Sequence, residues 1–116
     1  MERVLGIGGV FFRARDPEAL GAWYAENLGV PEMFSAERGD LTVWSTFAAD
    51  TEYFGHAEQQ SMLNYRVRDL DAMLAQLRAA GADVDDKVEE YNYGRFGWAT
   101  DPEGNRFELW EPPLQK

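Results

Sequence analysis

Short runs in which hydrophobic and polar residues alternate recur along this chain, and two of them lead directly into helical patterns. Successive side chains of a β-strand point to opposite faces, so a period of two predicts a strand. The first run has one face with Val10, Phe12 and Ala14 and another with Gly9, Phe11 and Arg13. The second has one face with Leu63, Tyr65 and Val67 and another with Met62, Asn64 and Arg66.

Each run is followed by an aspartate that predicts the start of a helix. The side chain of Asp16 can accept hydrogen bonds from backbone N–H groups, and Pro17 suits the first helical position. Asp69 has the same place in the second copy, and Gly29 and Gly81 are typical of residues just beyond a helix C-terminus. The predicted helices each have one apolar face: Leu20, Trp23, Tyr24 and Leu28 in the first, and Leu70, Met73, Leu74 and Leu77 in the second.

After each helix the pattern returns to strands. In the first half these are EMFSA, DLTVWSTF and TEYFGHAE, with a turn predicted at Arg38–Gly39; in the second they are VDDKVEEY, GRFGWAT and NRFELWE. The motif Arg-x-Arg-Asp begins at Arg13 and again at Arg66, 53 residues later. The sequence therefore predicts an α+β fold in one domain, residues 1–116, built from two βαβββ modules at about 6–58 and 59–113.

Composition narrows the classes of partner. The chain has 21 acidic and 11 basic residues and a net charge of −10. The negative electrostatic field of such a chain repels nucleic acid and anionic membrane surfaces, so neither is an expected partner. Cysteine is absent, which excludes disulfides and cysteine-ligated zinc. No segment has the pattern of a signal peptide or a membrane helix, so the expected location is the cytoplasm.

Three segments, in order, carry a resemblance to a known family: GGVFFRARDPEALGAWYAENLGV, NYRVRDLDAMLAQLRAAGADV and YGRFGWATDPEGNRFELWEPP. They resemble the vicinal oxygen chelate superfamily, also called the glyoxalase/bleomycin-resistance/dioxygenase group. The resemblance implies an incomplete barrel of strands around a cavity, with helices outside, and assembly as a homodimer. It leaves the reaction open, because the superfamily includes isomerases, ring-cleaving dioxygenases and antibiotic-resistance proteins.

The implied barrel directs one face of each strand into the cavity, where we expect a small-molecule ligand. Glu108 is the candidate catalytic residue. The candidate ligand-binding residues are Phe11, Arg13, Met62, Asn64, Arg66, Tyr91, Tyr93, Arg106 and Trp110. The two tyrosines precede Gly94, and we predict that their segment forms a lid at the cavity mouth.

Metal-binding members of the superfamily take ligands from the first and last strands of each module. The resemblance places Gly9 and Met62 at the two first-strand positions, and neither is a good ligand for a hard or borderline cation. Glu108 occupies the last-strand position of the second module. In the first module the candidates are Glu52, His56 and Glu58. We therefore expect no metal cofactor; the alternative is a divalent metal held by Glu108 and His56.

Without a metal, Glu108 has three alternative roles. It can pair with Arg106, Arg66 or Arg13 in a buried polar network. It can act as a general base whose pKa is raised by apolar neighbours. It can orient a ligand whose apolar part lies against aromatic walls. We expect a small-molecule cavity protein of undetermined reaction; the alternatives are a metal-dependent lyase or isomerase and a drug- or metabolite-sequestering protein.

Overall fold

The computed structural model describes residues 1–35 and 40–113, and the predicted turn at Arg38–Gly39 lies outside these residues. In the described residues one open sheet of eight strands carries two helices, which confirms the α+β fold class. The elements are β1 (Gly6–Ala14), α1 (Pro17–Leu28), β2 (Met33–Ser35), β3 (Leu41–Ala48), β4 (Ser61–Arg66), α2 (Leu70–Ala79), β5 (Asp83–Val84), β6 (Glu89–Tyr91), β7 (Gly94–Thr100) and β8 (Arg106–Glu111).

Both helices begin and end where the sequence predicts. The carboxylate of Asp16 accepts a hydrogen bond from the backbone of Ala19 at 3.1 Å, and Asp69 caps α2 in the same way. Gly29 follows α1 with φ of 66°, and Gly81 follows α2 with φ of 83°. An L side chain rarely adopts this left-handed conformation, so glycine is the natural residue at both ends.

The strand order is β2-β3-β1-β4-β8-β7-β5, with β6 paired to β7. Strands β1 and β4 are antiparallel neighbours at the centre, where the two halves of the chain meet. On each side the central strand pairs in parallel with the last strand of its own half, β3 or β8. The sheet is curved, because Met33 at one end and Tyr91 at the other line the same cavity.

The strand predicted within residues 51–58 is wrong, since this segment forms turns and bends. The side chain of Arg13 holds this segment in place. Its guanidinium donates four hydrogen bonds to carbonyl oxygens of the loop at residues 49–60, each 2.8 to 3.0 Å long; the acceptors belong to Ala49, Thr51, His56 and Gln59. A side chain on β1 thus satisfies backbone groups that a strand partner would otherwise bind. The last strand of the first half is therefore β3.

The core has two parts. In the first part, Leu70, Met73 and Leu74 of α2 pack against Val67 and Leu109. The second part, on the other face of the sheet, consists of Phe11, Phe54, Met62 and Trp98. Helix α1 differs, because none of its described residues is buried. Tyr24 packs on Trp44 at 4.9 Å between ring centroids, whereas Trp23 is 52% and Leu28 64% exposed. No helix within residues 1–35 and 40–113 is long and apolar enough to cross a membrane.

Replacing Arg13 by lysine is expected to lower the free energy of unfolding by about 1–3 kcal/mol, because one ammonium cannot reach four carbonyl oxygens. Arg15→Lys is the matched control. Arg15 is exposed, and its replacement is expected to change stability by less than about 0.5 kcal/mol. Urea unfolding of both variants measures the difference. Equal stability of the two variants would contradict the role assigned to Arg13.

Candidate functional site

The concave face of the sheet encloses a cavity of about 470 Å³. Most of its wall is apolar or aromatic. The lining residues are Gly8, Phe11, Met33, Leu41, Val43, Tyr53, Asn64, Glu89, Tyr91, Tyr93, Phe96, Trp98, Glu108 and Trp110. A cavity of this size holds a small organic molecule, and its few polar groups would fix that molecule's orientation.

Glu108 lies on β8 and, with Tyr53, Asn64 and Trp98, forms the polar part of the cavity lining, which we call the floor. Its neighbours along the strand, Phe107 and Leu109, pack with the α2 core, so the alternation of the strand turns Glu108 inward. The residue is only 2% exposed. The predicted inward and buried position of this carboxylate is therefore confirmed.

Three donors converge on the Glu108 carboxylate. Oε1 accepts a hydrogen bond from Asn64 Nδ2 at 2.5 Å, and Oε2 accepts one from Trp98 Nε1 at 3.0 Å and a short one from the Tyr53 hydroxyl. An ionised carboxylate offers about four lone-pair sites. Three are used, and the fourth, on Oε1, is available to a ligand.

The predicted ion pair between Glu108 and an arginine does not form. Arg106 Nη1 instead binds Asp85 Oδ2 at 2.8 Å. Arg66 donates to the carbonyl oxygens of Ile7 and Leu41, each at 2.6 Å. Arg13 holds the loop at residues 49–60. Each guanidinium is thus engaged with carbonyl or carboxylate oxygens, and the hydrogen bonds to Glu108 come from the neutral donors Tyr53, Asn64 and Trp98.

Burial sets the protonation of the two acidic groups of the floor. Removal from water raises the pKa of Glu108 above its usual range, although the hydrogen bonds from Tyr53, Asn64 and Trp98 oppose the rise. Burial, followed by the charge of Glu108, also raises the pKa of the Tyr53 hydroxyl. Tyr53 therefore remains a protonated donor to the carboxylate.

The stability of the protein is expected to fall, relative to Glu108→Gln, as pH rises above about 4.5, the ordinary pKa of glutamate. Because the pKa of Glu108 is raised in the folded state, the native protein retains this proton over a range where the unfolded chain has lost it. Urea unfolding of both proteins from pH 4 to 8 measures the difference. A wild type that gains stability over the variant in this range would contradict the expectation.

A β-bulge on β1 places Gly8 beside Asn64. The pairing of β1 with β4 shifts between Ile7 and Gly9, so Gly8 is the extra residue. A Cβ on Gly8 would lie 2.2 Å from Asn64 Oδ1 and 3.0 Å from Trp110 Cε3. That buried oxygen accepts no hydrogen bond within the described residues. The floor thus contains a second acceptor that a ligand could satisfy.

Aromatic rings form the remaining wall. Tyr91 stacks on Tyr93 with centroids 5.1 Å apart, and Phe96 stacks on Trp110 at 6.0 Å. The indole Nε1 of Trp110 donates to the Tyr93 carbonyl at 2.9 Å and fixes the turn between β6 and β7. The two tyrosines are 49% and 55% exposed. They therefore lie at the mouth, where the sequence predicts a lid.

Six of the predicted site residues line the cavity: Phe11, Asn64, Tyr91, Tyr93, Glu108 and Trp110. Four do not: Arg13, Met62, Arg66 and Arg106. Met62 is buried in the aromatic core cluster, and the three arginines have the contacts described above.

The sequence indicates Tyr53 and Trp98 only as two of several aromatic residues that could form either the cavity wall or the core, and it does not predict their hydrogen bonds to Glu108. The alternation along GRFGWAT places Trp98 on the same face as Phe96, whereas no local signal links Tyr53 to Glu108, 55 residues away.

The described residues do not fit a divalent metal. The Gly9 position is covered by the ring of Phe11, whose Cζ lies 2.7 Å from where a Cβ would stand, and Met62 is 1% exposed in the core. His56 binds the carbonyl oxygen of Gly104 and faces Glu58, outside the cavity lining. Among residues 1–35 and 40–113 no three His, Cys, Asp or Glu side chains form a cluster suited to a metal ion.

This fold and cavity agree with a comparison against protein families. The family described as "Glyoxalase-like domain" matches residues 9–110. The chain belongs to this family, within the vicinal oxygen chelate superfamily. A comparison with curated proteins gave no match.

Solved structures share the fold at low sequence identity. A variant of methylmalonyl-CoA epimerase from Streptomyces coelicolor, in complex with 2-nitronate-propionyl-CoA, has a TM-score of 0.72 and 17% identity, over 97% of this chain and 100% of that one. The Mycobacterium tuberculosis epimerase has a TM-score of 0.66 and 20% identity, over 96% and 90%. A Legionella pneumophila structure described as an NAD-dependent benzaldehyde dehydrogenase has a TM-score of 0.62 and 16% identity, over 90% and 98%.

Proposed function

We propose that this protein binds a small, largely apolar molecule in the cavity without a divalent metal, and that Glu108 and Asn64 hold its polar end. The observation that supports this most strongly is the polar floor in an otherwise aromatic cavity. Glu108 has one unused acceptor site there, and Asn64 has an unpartnered oxygen. Buried polar groups are normally satisfied, so the free sites are explained by a ligand that supplies donors.

The ligands of the epimerase structures fit this cavity poorly. Coenzyme A esters carry phosphates, and methylmalonyl-CoA carries a carboxylate as well. The described lining contains two carboxylates, Glu89 and Glu108, and no lysine or arginine. Placing an anion beside the buried carboxylate of Glu108 would be repulsive. The shared fold therefore does not support transfer of the epimerase substrate to this chain.

Calorimetric titration with naphthylmethanol, an uncharged aromatic probe, tests the binding function. We expect one molecule bound per chain. Leu41→Trp, at the cavity wall, should abolish binding because the indole fills the space. The matched control is Leu63→Trp, since Leu63 is 37% exposed and lies outside the lining. Failure of the wild type to bind any probe of this shape, charged or uncharged, or equal binding by both variants, would contradict the proposal.

Proton transfer by Glu108 is a second candidate function. The free site on Oε1 and the raised pKa favour it, since a general base works best when its pKa approaches the working pH. A proton on the carbon next to a ligand carbonyl would move to Oε1. The electron pair of that C–H bond would form a C=C bond, and the π pair of the carbonyl would move to its oxygen, giving an enolate. Deuterium incorporation into a bound ketone in heavy water tests this reaction. Incorporation by wild type but not by Glu108→Gln would establish it.

Addition of Mn²⁺ or Zn²⁺ is expected to leave the melting temperature of the wild-type protein unchanged, because the floor offers one carboxylate and no clustered partner. Thermal melts of wild type and Glu108→Gln, with and without each ion, make the measurement. A clear rise in the wild type that is absent from the variant would identify Glu108 as a metal ligand. The metal-dependent lyase or isomerase would then be the better proposal.

We also propose that the chain forms a homodimer through the apolar surface of α1 and β2. Trp23 and Leu28 are mostly exposed, and Met33 and Phe34 are each 46% exposed. Exposed apolar surface of this kind is typical of an interface. Light scattering is expected to give twice the 13.2 kDa of one chain at micromolar concentration. A mass of one chain would contradict the proposal.

A further inference from the structure

Glu108 is a buried carboxylate that forms no salt bridge among the described residues, although the charge of Arg106 weakly opposes the rise in its pKa that burial causes. Its three hydrogen-bond donors are the neutral groups of Tyr53, Asn64 and Trp98. The other acid of the lining, Glu89, differs because Lys87 Nζ lies 3.1 Å from its Oε2. Buried charges in proteins are normally paired, since an isolated charge loses its hydration without compensation. A positive partner for Glu108 would therefore come from the ligand.

The free hydrogen-bonding capacity of the floor is acceptor capacity. Asn64 Oδ1 has no partner among the described residues, and Glu108 Oε1 has one unused site. The donors that reach Glu108 and the indole of Trp110 are already engaged. The Tyr93 hydroxyl lies at the exposed mouth, and Arg66 Nε, the other buried atom without a partner among the described residues, belongs to a side chain outside the lining. The Tyr53 hydroxyl, the Trp98 indole and the Asn64 amide donate to Glu108, and the Trp110 indole donates to the Tyr93 carbonyl. An acceptor-only ligand group at the floor would find every lining donor beside Glu108 already engaged, whereas an ammonium brings three donors.

The walls suit the same ligand class. Rings of Phe11, Tyr91, Tyr93, Phe96, Trp98 and Trp110 line the cavity. Aromatic faces attract cations, most strongly where water is excluded. They also pack against an aromatic or aliphatic body.

We infer that the ligand is a protonated amine on a hydrophobic body, with its ammonium bound between Glu108 and Asn64. The inference rests on the proposed binding function and adds the chemical class of the ligand.

Three probes of the same shape test it: naphthylmethylamine as the cation, naphthylmethanol as the neutral analogue and naphthoate as the anion. Calorimetry with the wild-type chain should show the amine binding about tenfold or more tightly than the alcohol, because a hydrogen bond between charged groups is stronger than one to a neutral hydroxyl. The anion should bind most weakly. An alcohol or anion that binds as tightly as the amine would overturn the inference while leaving the binding function intact. If none of the three binds, the binding function itself is wrong.

The net charge of −10 attracts any cation, so a matched pair of variants separates the site from the overall field. Glu108→Gln and Glu103→Gln each remove one negative charge, and Glu103 lies in the exposed turn before β8. We expect Glu108→Gln to bring amine affinity down to that of the alcohol and Glu103→Gln to keep the preference. Equal losses in both variants would overturn the inference.

Salt provides a test that needs no variant. The preference of the wild type for the amine should persist at about 0.5 M salt, because a buried pair is screened far less than surface charge. Loss of the preference at that salt concentration would overturn the inference.

Discussion

Phe54→Ala is expected to lower the free energy of unfolding by about 3–5 kcal/mol, the usual cost of removing a buried phenylalanine ring. Phe54 is 0% exposed and packs 5.3 Å from Phe47 between ring centroids. The guanidinium carbon of Arg13 lies 5.1 Å from the centroid of the Phe54 ring. The side chain thus anchors the loop at residues 49–60 to the core, and its loss should also loosen the adjacent Tyr53.

Leu63→Ala is the control for this prediction. Leu63 lies on β4, outside the proposed dimer surface, and is 37% exposed, so its truncation should cost less than about 1.5 kcal/mol. Urea unfolding monitored by circular dichroism compares the two. If both variants lose the same stability, the loop is not anchored through Phe54.

Gly8→Ala is expected to weaken binding of naphthylmethanol about tenfold or more, since overpacking of this degree typically costs 1–3 kcal/mol. The added methyl would lie 2.2 Å from Asn64 Oδ1. Asn64 is 2% exposed and has no room to retreat without losing its hydrogen bond to Glu108. Calorimetric titration measures the change in affinity.

Gly21→Ala controls for the substitution itself. No atom lies within 4 Å of a Cβ at Gly21, and alanine in the interior of a helix is more favourable than glycine by about 1 kcal/mol. We therefore expect a slightly more stable protein with unchanged affinity. Tight binding by Gly8→Ala, comparable with Gly21→Ala, would show that the ligand does not depend on the position of Asn64.

Local chemistry predicted much of the fold. Asp16 and Asp69 begin helices because each carboxylate accepts a hydrogen bond from a backbone N–H group only three residues further along the chain. Glu108 faces inward because a strand alternates and its neighbours must pack under α2. Both features depend only on neighbouring residues in the sequence, and for this reason the sequence predicts them correctly.

Contacts between distant residues could not be predicted in this way. The loop at residues 49–60 has the alternation of a strand, but Arg13, at least 36 residues away, binds its carbonyl oxygens. Tyr53 reaches Glu108 across 55 residues. The bulge at Gly8 depends on the register between β1 and β4, for which the sequence GIGG has no distinctive signal. The positions of Tyr53 at the floor and of Gly8 beside Asn64 therefore depend on tertiary structure and are not predicted from the local sequence.

The central pairing of β1 with β4 gives the cavity two chemically different ends. In the second half the paired positions of the central and last strands are Asn64 and Glu108. The corresponding pair in the first half is Phe11 and Ser45. A molecule with one polar end can therefore enter in only one direction, with its head toward β8 and its body toward β3. Such a site distinguishes the two ends of an amphiphile and has no matching place for a ligand that is polar at both.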